Sequence, residues 1–335
     1  ARASIADPFL PKKIEEGRLE EIRECIGCNI CYTGDSLGVP IRCTQNPAIG
    51  EEWRRGWHPE TITKKGSESS VLVVGAGPAG LEAARALGQR GYRVTLAEAT
   101  RELGGRVTHE STLPGLGEWL RVRDYRVQQI DAMSNVEVFR ESELSVDEVL
   151  AVEADHIVIS TGATWRADGF GRNHPQPLTT LSPSAQILTP DDVMAGRLPD
   201  GPTVIFDDDS FYMGGVIAER VRRENVPVTV VTPENVVSDW CEHTAEQYQV
   251  QKHLLELGIR IETAHSLLAY DGREVTICCT HTGRQQSIEA NALIMVTARS
   301  PRDELYQSLK QCMEGEAQTP FHSLRRIGDC DAPAI

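Results

Sequence analysis

No run of apolar residues in the sequence comes near the roughly 20 that a bilayer crossing requires. The first residues, ARASIADPFLPKKIEEG, have no apolar core of the kind a signal peptide uses. A membrane is therefore excluded as an expected partner, and a cytoplasmic setting is the expectation. Positive charge is short as well: 34 Lys and Arg stand against 49 Asp and Glu, a formal net charge of −15. That balance repels phosphate backbones and argues against nucleic acid. A disulfide framework is also missing. Nine cysteines are an odd number, and Cys241, Cys278, Cys279, Cys312 and Cys330 lie scattered without regular spacing, as ordinary buried or surface thiols do. There is no low-complexity segment and no heptad pattern. The chain begins at Ala1 without Met and stops at Ile335 directly after an expected loop, so a piece of a longer protein is expected.

What is present is enough for two domains: 335 residues, 40 % of them hydrophobic. Residues 1–20 form a polar lead-in, and residues 21–66 hold a cysteine-rich segment that runs into the linker KKGSESS at residues 64–70. From there the pattern alternates strand and helix. The short apolar run Val71–Val74 is followed by a glycine-rich turn, a helical pattern from Pro78 to Arg90, Gly91 as the stop, and a strand from Arg93 to Glu98. This is a βαβ unit. A second begins at Thr203–Phe206, with a helix expected from Gly215 to Asn225 and a strand from Val228 to Val231. Strand runs His156–Ser160 and Leu293–Thr297 each close one of the two stretches. The expected fold class is α/β, with two Rossmann-like nucleotide-binding domains. The first covers 67–200 and 301–335, and the second is inserted at 201–300.

Four cysteines are not scattered. Cys25, Cys28, Cys31 and Cys43 follow the pattern C-x2-C-x2-C-x11-C. Three close thiolates and a distant fourth suit a [4Fe-4S] cluster, each iron of which needs one soft ligand. Zinc is the competing metal, although its sites usually pair two C-x2-C knuckles. Gly27 and Gly34 would let the backbone wrap the group and aim N–H donors at sulfur. With four protein ligands and no open position, the expected role is one-electron transfer.

The turn Gly75-Ala76-Gly77-Pro78-Ala79-Gly80 follows a strand and opens a helix, and Glu98 ends the next strand 18 residues after Gly80. Gly75 makes the turn, Gly77 admits a pyrophosphate, Gly80 lets helix and strand pack closely, and Glu98 accepts from a ribose diol. Leu103–Arg106 can add backbone and a cation near the same phosphates, and Ser160–Ala163 a second close backbone approach. Ile327-Gly328-Asp329 resembles the late Gly-Asp of flavin-dependent disulfide-reductase-like domains, whose carboxylate meets the flavin ribityl chain. In the second unit Asp207, Asp209 and Tyr212 stand where Gly75, Gly77 and Gly80 stand in the first. Three consecutive carboxylates would repel a pyrophosphate, so NAD(P)H is not expected there. Two further readings apply to this stretch: a displaced glycine turn at Met213–Gly215, and a solvated helix-capping run of acids.

These segments together, from ARASIADPFLPKKIEEGRLEEIRECIGCNIC through CTQNPAIGEEWRRGWHPE to VLVVGAGPAGLEAARALGQRGYRVTLAEA with LGGR, resemble the trimethylamine, dimethylamine and histamine dehydrogenase family. That family is related to 2,4-dienoyl-CoA reductases and iron-sulfur flavoproteins of the old-yellow-enzyme type. The resemblance implies that residues 1–20 are the end, a βα segment, of an otherwise missing (β/α)8 barrel that carries FMN and oxidises the amine. It implies Cys25, Cys28, Cys31 and Cys43 as ligands of [4Fe-4S]. It also implies Gly75, Gly77, Pro78, Ala79, Gly80, Glu98, Ala99, Gly105, Arg106, Thr161, Gly162 and Asp329 around ADP or FAD, and Arg2 at an FMN phosphate. No substrate-oxidising residue is expected in this chain. The implied partners are a small amine, an electron-transferring flavoprotein as acceptor and a second copy in a homodimer. The alternative is the equivalent part of an NAD(P)H-dependent enoate reductase with FAD in the first site, and a third class is a colourless scaffold with zinc.

Overall fold

In the first half of the chain a strand with apolar residues at nearly every position, Ser70–Val74, can only be covered on both faces, and the computed structural model shows how. It describes residues 2–315 and 321–333; Ala1, residues 316–320 and residues 334–335, which fall in the expected first and last segments, lie outside the described residues. Val71 and Val73 pack with Leu81, Ala84, Leu96 and Ile130 on one face, while Leu72 and Val74 pack with Ile157, Ile159, Leu309 and Phe321 on the other. The sheet runs Ser323–Arg326, His156–Ile159, Ser70–Val74, Arg93–Ala97, Val136–Phe139, with every neighbouring pair parallel. The order reverses at Ser70–Val74, which opens a crevice at that strand's carboxyl end. The helix Pro78–Arg90 leaves that end with Pro at its first turn, and Gly91 stops it in the left-handed region at φ 95°.

The described residues divide into two compact units, one made of 2–111, 116–163, 301–315 and 321–333, the other of 112–115 and 164–300. The second unit repeats the plan. Its parallel sheet runs Ile187–Leu188, Ala292–Val296, Thr203–Asp207, Val228–Val231, Arg260–Glu262. One face is covered by an antiparallel meander, His265–Tyr270, Glu274–Cys279 and Gln285–Glu289, which buries Leu267, Tyr270, Val275 and Ile277 against Val204, Phe206, Leu293 and Met295. No helix among the described residues is long and apolar enough to cross a membrane.

Three expectations need correction. The second unit begins at Thr164, not at 201, because Leu178, Leu181, Ala185 and Ile187 pack against its core and Ile187–Leu188 is a strand of its sheet. Residues 2–20 hold the helices Arg2–Ala6 and Leu10–Glu15, and no strand precedes Ser70 among the described residues, so the expected βα segment lacks its β part. The helix of the second unit starts at Tyr212 and ends at Arg222, which places Gly214 and Gly215 inside it and leaves no displaced glycine turn.

The lead-in and the cysteine segment belong to the first unit and are tied to each other by an ion triad. Lys13 Nζ donates to Asp7 Oδ2 at 2.8 Å, to Glu60 Oε1 at 2.9 Å and to the Glu21 carbonyl at 2.8 Å. Lys13 and Asp7 are almost wholly buried. All three ammonium donors are used, which is the condition under which a buried charge persists.

Candidate functional site

The three near cysteines are spaced by backbone that only unusual dihedrals allow. Between Cys25 and Cys31 the chain turns through left-handed residues at Gly27, φ 76°, and Asn29, φ 53°, and Cys31 lies in the first turn of the helix Ile30–Leu37. The fourth returns over that helix. A Cβ on Gly34 would stand 3.0 Å from Ile41 Cα, so Gly34 serves this close approach and not the sulfurs, contrary to the reading above. Gly27 does serve sulfur: its N–H points at Cys25 Sγ at 3.4 Å, as the Gln45 N–H does at Cys43 Sγ, also 3.4 Å. Thr44 Oγ1 lies 3.2 Å from Cys28 Sγ.

Cys25, Cys28, Cys31 and Cys43 line one pocket, with Arg2, Ile26 and Gln45 among its other walls. Burial pushes the Cys28 and Cys31 thiols up from their ordinary value, and the nearby Cys43 and Cys25 sulfurs push the same way. No three His, Cys, Asp or Glu side chains among the described residues converge closely enough for a single ion. Four thiols around one hollow are the kind of donor set an iron-sulfur cluster takes, so the residues fit one. None of the nine cysteines is in a disulfide. Arg2, expected at an FMN phosphate, stands at this pocket and donates to Asn29 Oδ1 at 2.8 Å.

Behind the cysteines lies a polar layer that sequence reasoning missed. The side-chain amide of Gln45 donates to the carbonyls of Glu24 and Arg121 at 3.0 and 3.2 Å, and Arg126 donates to Gln45 Oε1 at 2.8 Å. Arg121 donates to the Cys25 carbonyl at 3.1 Å. Both arginines sit on the helix Arg121–Asp131, RVRDYRVQQID, whose density of Arg and Asp reads as a solvated surface.

The nucleotide crevice gathers distant pieces of the first unit. Gly75 has φ 97°, and a Cβ there would stand 2.5 Å from the Ser160 carbonyl oxygen. One on Gly80 would stand 1.9 Å from the Gly75 oxygen. Gly77 is different, since a Cβ there would meet nothing within 4 Å. It faces open space at the helix N-terminus, where an anion is favoured. Ser160 Oγ donates to the Val74 and Gly75 carbonyls at 2.9 and 2.7 Å and clamps the loop. Glu98, nearly buried, accepts from the Ala76 N–H at 2.8 Å and from the Thr100 N–H and hydroxyl at 2.9 Å each. Ala99 beside it is exposed.

The remaining predicted residues arrive at the same place. The Gly104 N–H donates to the Ala76 carbonyl at 2.8 Å, and a Cβ on Gly105 would stand 3.1 Å from Gly77 Cα. Arg106 Nη2 donates to the Ala163 carbonyl at 2.6 Å. Gly162, φ 77°, also faces open space, while Thr161 Oγ1 donates to the Arg302 carbonyl. A Cβ on Gly328 would stand 2.6 Å from Ala79 Cβ, which brings the Gly328-Asp329 turn onto the first turn of the helix that starts at Pro78. The structure thus brings together the expected set, including the turn furthest away in sequence.

At the matching point of the second unit the acids are not solvated, which corrects the helix-capping reading. Asp207 and Asp208 are 0 % and 1 % exposed. A Cβ on Gly214 would stand 2.3 Å from Asp207 Oδ2, so this carboxyl occupies the mouth of the helix, where Gly77 leaves open space in the first unit. Asp207 Oδ1 accepts from the Ser210 N–H at 2.9 Å, while Oδ2 has no partner. Asp208 accepts from the Asn173 backbone N–H at 3.0 Å and from the Asn173 side-chain amide at 2.6 Å. Burial, with Asp209 alongside, pushes Asp207 up to about 8, so at neutral pH it is mainly the uncharged acid.

Residues 69–190 match the family model described as pyridine nucleotide-disulphide oxidoreductase. The chain is 38 % identical, over its whole length and 49 % of the relative's, to dimethylamine dehydrogenase of Hyphomicrobium sp. (strain x). A solved histamine dehydrogenase from Rhizobium sp. 4-9 superposes with a TM-score of 0.97 and 49 % identity, over 100 % of this chain and 49 % of that one. The solved 6-hydroxypseudooxynicotine amine oxidase from Pseudomonas geniculata N1 gives 0.95 and 43 %, over 100 % and 50 %. The chain therefore spans about half the length of the relatives it matches.

Proposed function

The chain belongs to the family of the dimethylamine and histamine dehydrogenases, and from that premise we propose that it is the electron-transfer and nucleotide-binding part of an iron-sulfur flavoprotein that oxidises a methylated or primary amine. The observation that carries this reading is the single pocket lined by Cys25, Cys28, Cys31 and Cys43. A [4Fe-4S] cluster bound there supplies one-electron transfer between a two-electron flavin and its acceptor. The chain's own residues do the rest. The Gly27 and Gln45 N–H groups and the Thr44 hydroxyl point at sulfur and favour the thiolate form. Ile26, Val107, Val122 and Trp119 pack beside Cys28 and exclude water from that side.

In the first crevice Gly77 and the open helix end receive a diphosphate, and Glu98 takes the ribose hydroxyls with lone pairs its present partners leave free. ADP is the occupant in this reading and has a structural role. FMN and the amine belong to the part of the full-length protein outside this chain. An electron-transferring flavoprotein is the acceptor, the assembly is a homodimer and the setting is cytoplasmic. Asp207 at the second helix mouth favours this over hydride delivery from NAD(P)H.

The test is a visible spectrum of the anaerobic full-length protein, titrated with NADPH and then with methylated and primary amines, with identification of the nucleotide it releases. Bleaching by an amine and release of ADP are expected. Bleaching by NADPH with release of FAD would overturn the reading in favour of a reductase, and a colourless protein would overturn both.

A further inference from the structure

Arg23, Arg85 and Arg126 are exposed by only 2 %, 3 % and 4 %. A buried guanidinium persists when an anion meets it and its N–H groups find acceptors. Here two of them share one carboxylate and the third has none. Glu82 lies 2.5 Å from Arg85 Nη2 and 2.9 Å from Arg126 Nε. Arg23 has no carboxylate partner: Nη2 donates to the Tyr125 hydroxyl at 3.2 Å, the guanidinium lies 5.0 Å from that ring's centroid, and Nε and Nη1 have no acceptor. The set of Lys13, Asp7 and Glu60, reached through the Arg23 backbone N–H on Asp7 Oδ2 at 2.9 Å, carries one negative charge overall, so the combined group remains positive. Arg121, with Glu24 and Glu118, is a half-exposed surface set that water screens.

Part of that charge, carried by Arg126, lies against the cysteine loops. Arg126 reaches Gln45 Oε1 at 2.8 Å and the Thr44 carbonyl at 3.4 Å. Thr44 and Gln45 are the residues whose hydroxyl and N–H meet Cys28 and Cys43. Arg23 stands two residues before Cys25. Four thiolates outweigh the positive charge of an iron-sulfide core, so the group they hold is an anion, and an added electron makes it more so.

We propose that Arg23, Arg85 and Arg126 are the buried counter-charge of the iron-sulfur cluster and hold its reduction potential up, Arg126 acting through Thr44 and Gln45 as a positioning residue. This rests on the cluster reading above. Fixed cations in a medium of low dielectric favour the more negative, reduced state, and they are met by the cluster where Glu82 alone does not suffice. The same arrangement explains why guanidinium groups, which stay charged, occupy these buried positions.

The experiment compares full-length parent, Arg126→Met and Arg126→Lys by iron and acid-labile sulfide content and by a redox titration followed by electron paramagnetic resonance. Arg126→Met is expected to keep its iron and sulfide, with the reduction equilibrium shifted at least tenfold toward the oxidised cluster, which is about 59 mV lower for a one-electron couple. Arg126→Lys, which keeps the charge, is expected to stay within about threefold of the parent. An unshifted potential in Arg126→Met overturns the proposal, and so does an equal shift in both variants. A parent without iron and sulfide overturns the cluster reading itself. Where Arg126→Met does not fold, Arg23→Met is titrated against the same criteria.

Discussion

Replacing Asp207 by Asn is expected to flatten the pH dependence of the second unit's stability between about pH 4 and pH 9. Asp207 is fully buried, one of its oxygens has no partner, and its folded value is raised to about 8 from an ordinary 3.8. The folded state therefore holds this proton across a window in which the unfolded chain has released it. Stability is complete below the unfolded value, falls as pH rises through the window, and levels off above the folded value. The total fall is on the order of 5 kcal/mol, at about 1.36 kcal/mol for each unit of difference. Asn is close to the same shape and has no proton to lose, so the variant matches the parent within about 1 kcal/mol at about pH 4 and exceeds it by several at about pH 9. Burial raises Asp209 too, against the pull of Arg299 and Arg172, which leaves the variant a residual slope of the same sign. Denaturant unfolding of both proteins at several pH values, followed at the transition of the second unit, makes the comparison. A parent whose stability does not change over this range would sink the account.

The same aspartate shows where the sequence could be read and where it could not. The exchange of three glycines for Asp207, Asp209 and Tyr212 is visible in the letters, and it points away from a pyrophosphate. Its burial is not visible, because three consecutive acids before a helix are most often a solvated cap. Only the fold shows that the strand Thr203–Asp207 ends with its last side chain turned into the helix mouth. The first crevice was more legible, because each of its glycines answers a local steric demand. Gly75 needs a positive φ, Gly80 needs the absence of a side chain, and both follow a strand of apolar residues.

Residues 164–200 were not legible as part of the second unit. They have little periodicity, and it is their packing through Leu178, Leu181 and Ile187 that assigns them. Arginine is the other blind spot. On a helix it reads as a solvent-facing residue, yet Arg126 and Arg85 are buried, and Arg126 meets Gln45, which is 81 residues away in sequence. The four cysteines could be grouped by spacing, but the groups behind them, Thr44 and Gln45 included, are set by tertiary structure.

Gly77→Ala and Gly80→Ala are expected to fail in opposite ways, although the two glycines are three residues apart in one motif. Alanine at position 80 would place its Cβ 1.9 Å from the Gly75 carbonyl oxygen and 2.5 Å from Ser160 Oγ. Backbone cannot yield there without breaking the Ser160 clamp and the parallel pairing of Val74 with Ala97 and Ile159. A loss of roughly 3 kcal/mol or more follows, a large fraction of a domain's ordinary stability of about 5–15 kcal/mol. Alanine at position 77 meets nothing within 4 Å, and the backbone there, φ −69°, is one any residue adopts. Its stability should equal the parent's within about 0.5 kcal/mol. What it loses is the ligand, because its methyl group stands in the open space at the helix end, and retained nucleotide should drop at least tenfold, about 1.4 kcal/mol. Thermal unfolding and nucleotide content of the two purified variants separate the cases. A Gly77→Ala protein that keeps a full complement of nucleotide would mean that the phosphates lie elsewhere. A Gly80→Ala protein as stable as the parent would mean that the strand and helix do not meet as closely as the loop geometry requires.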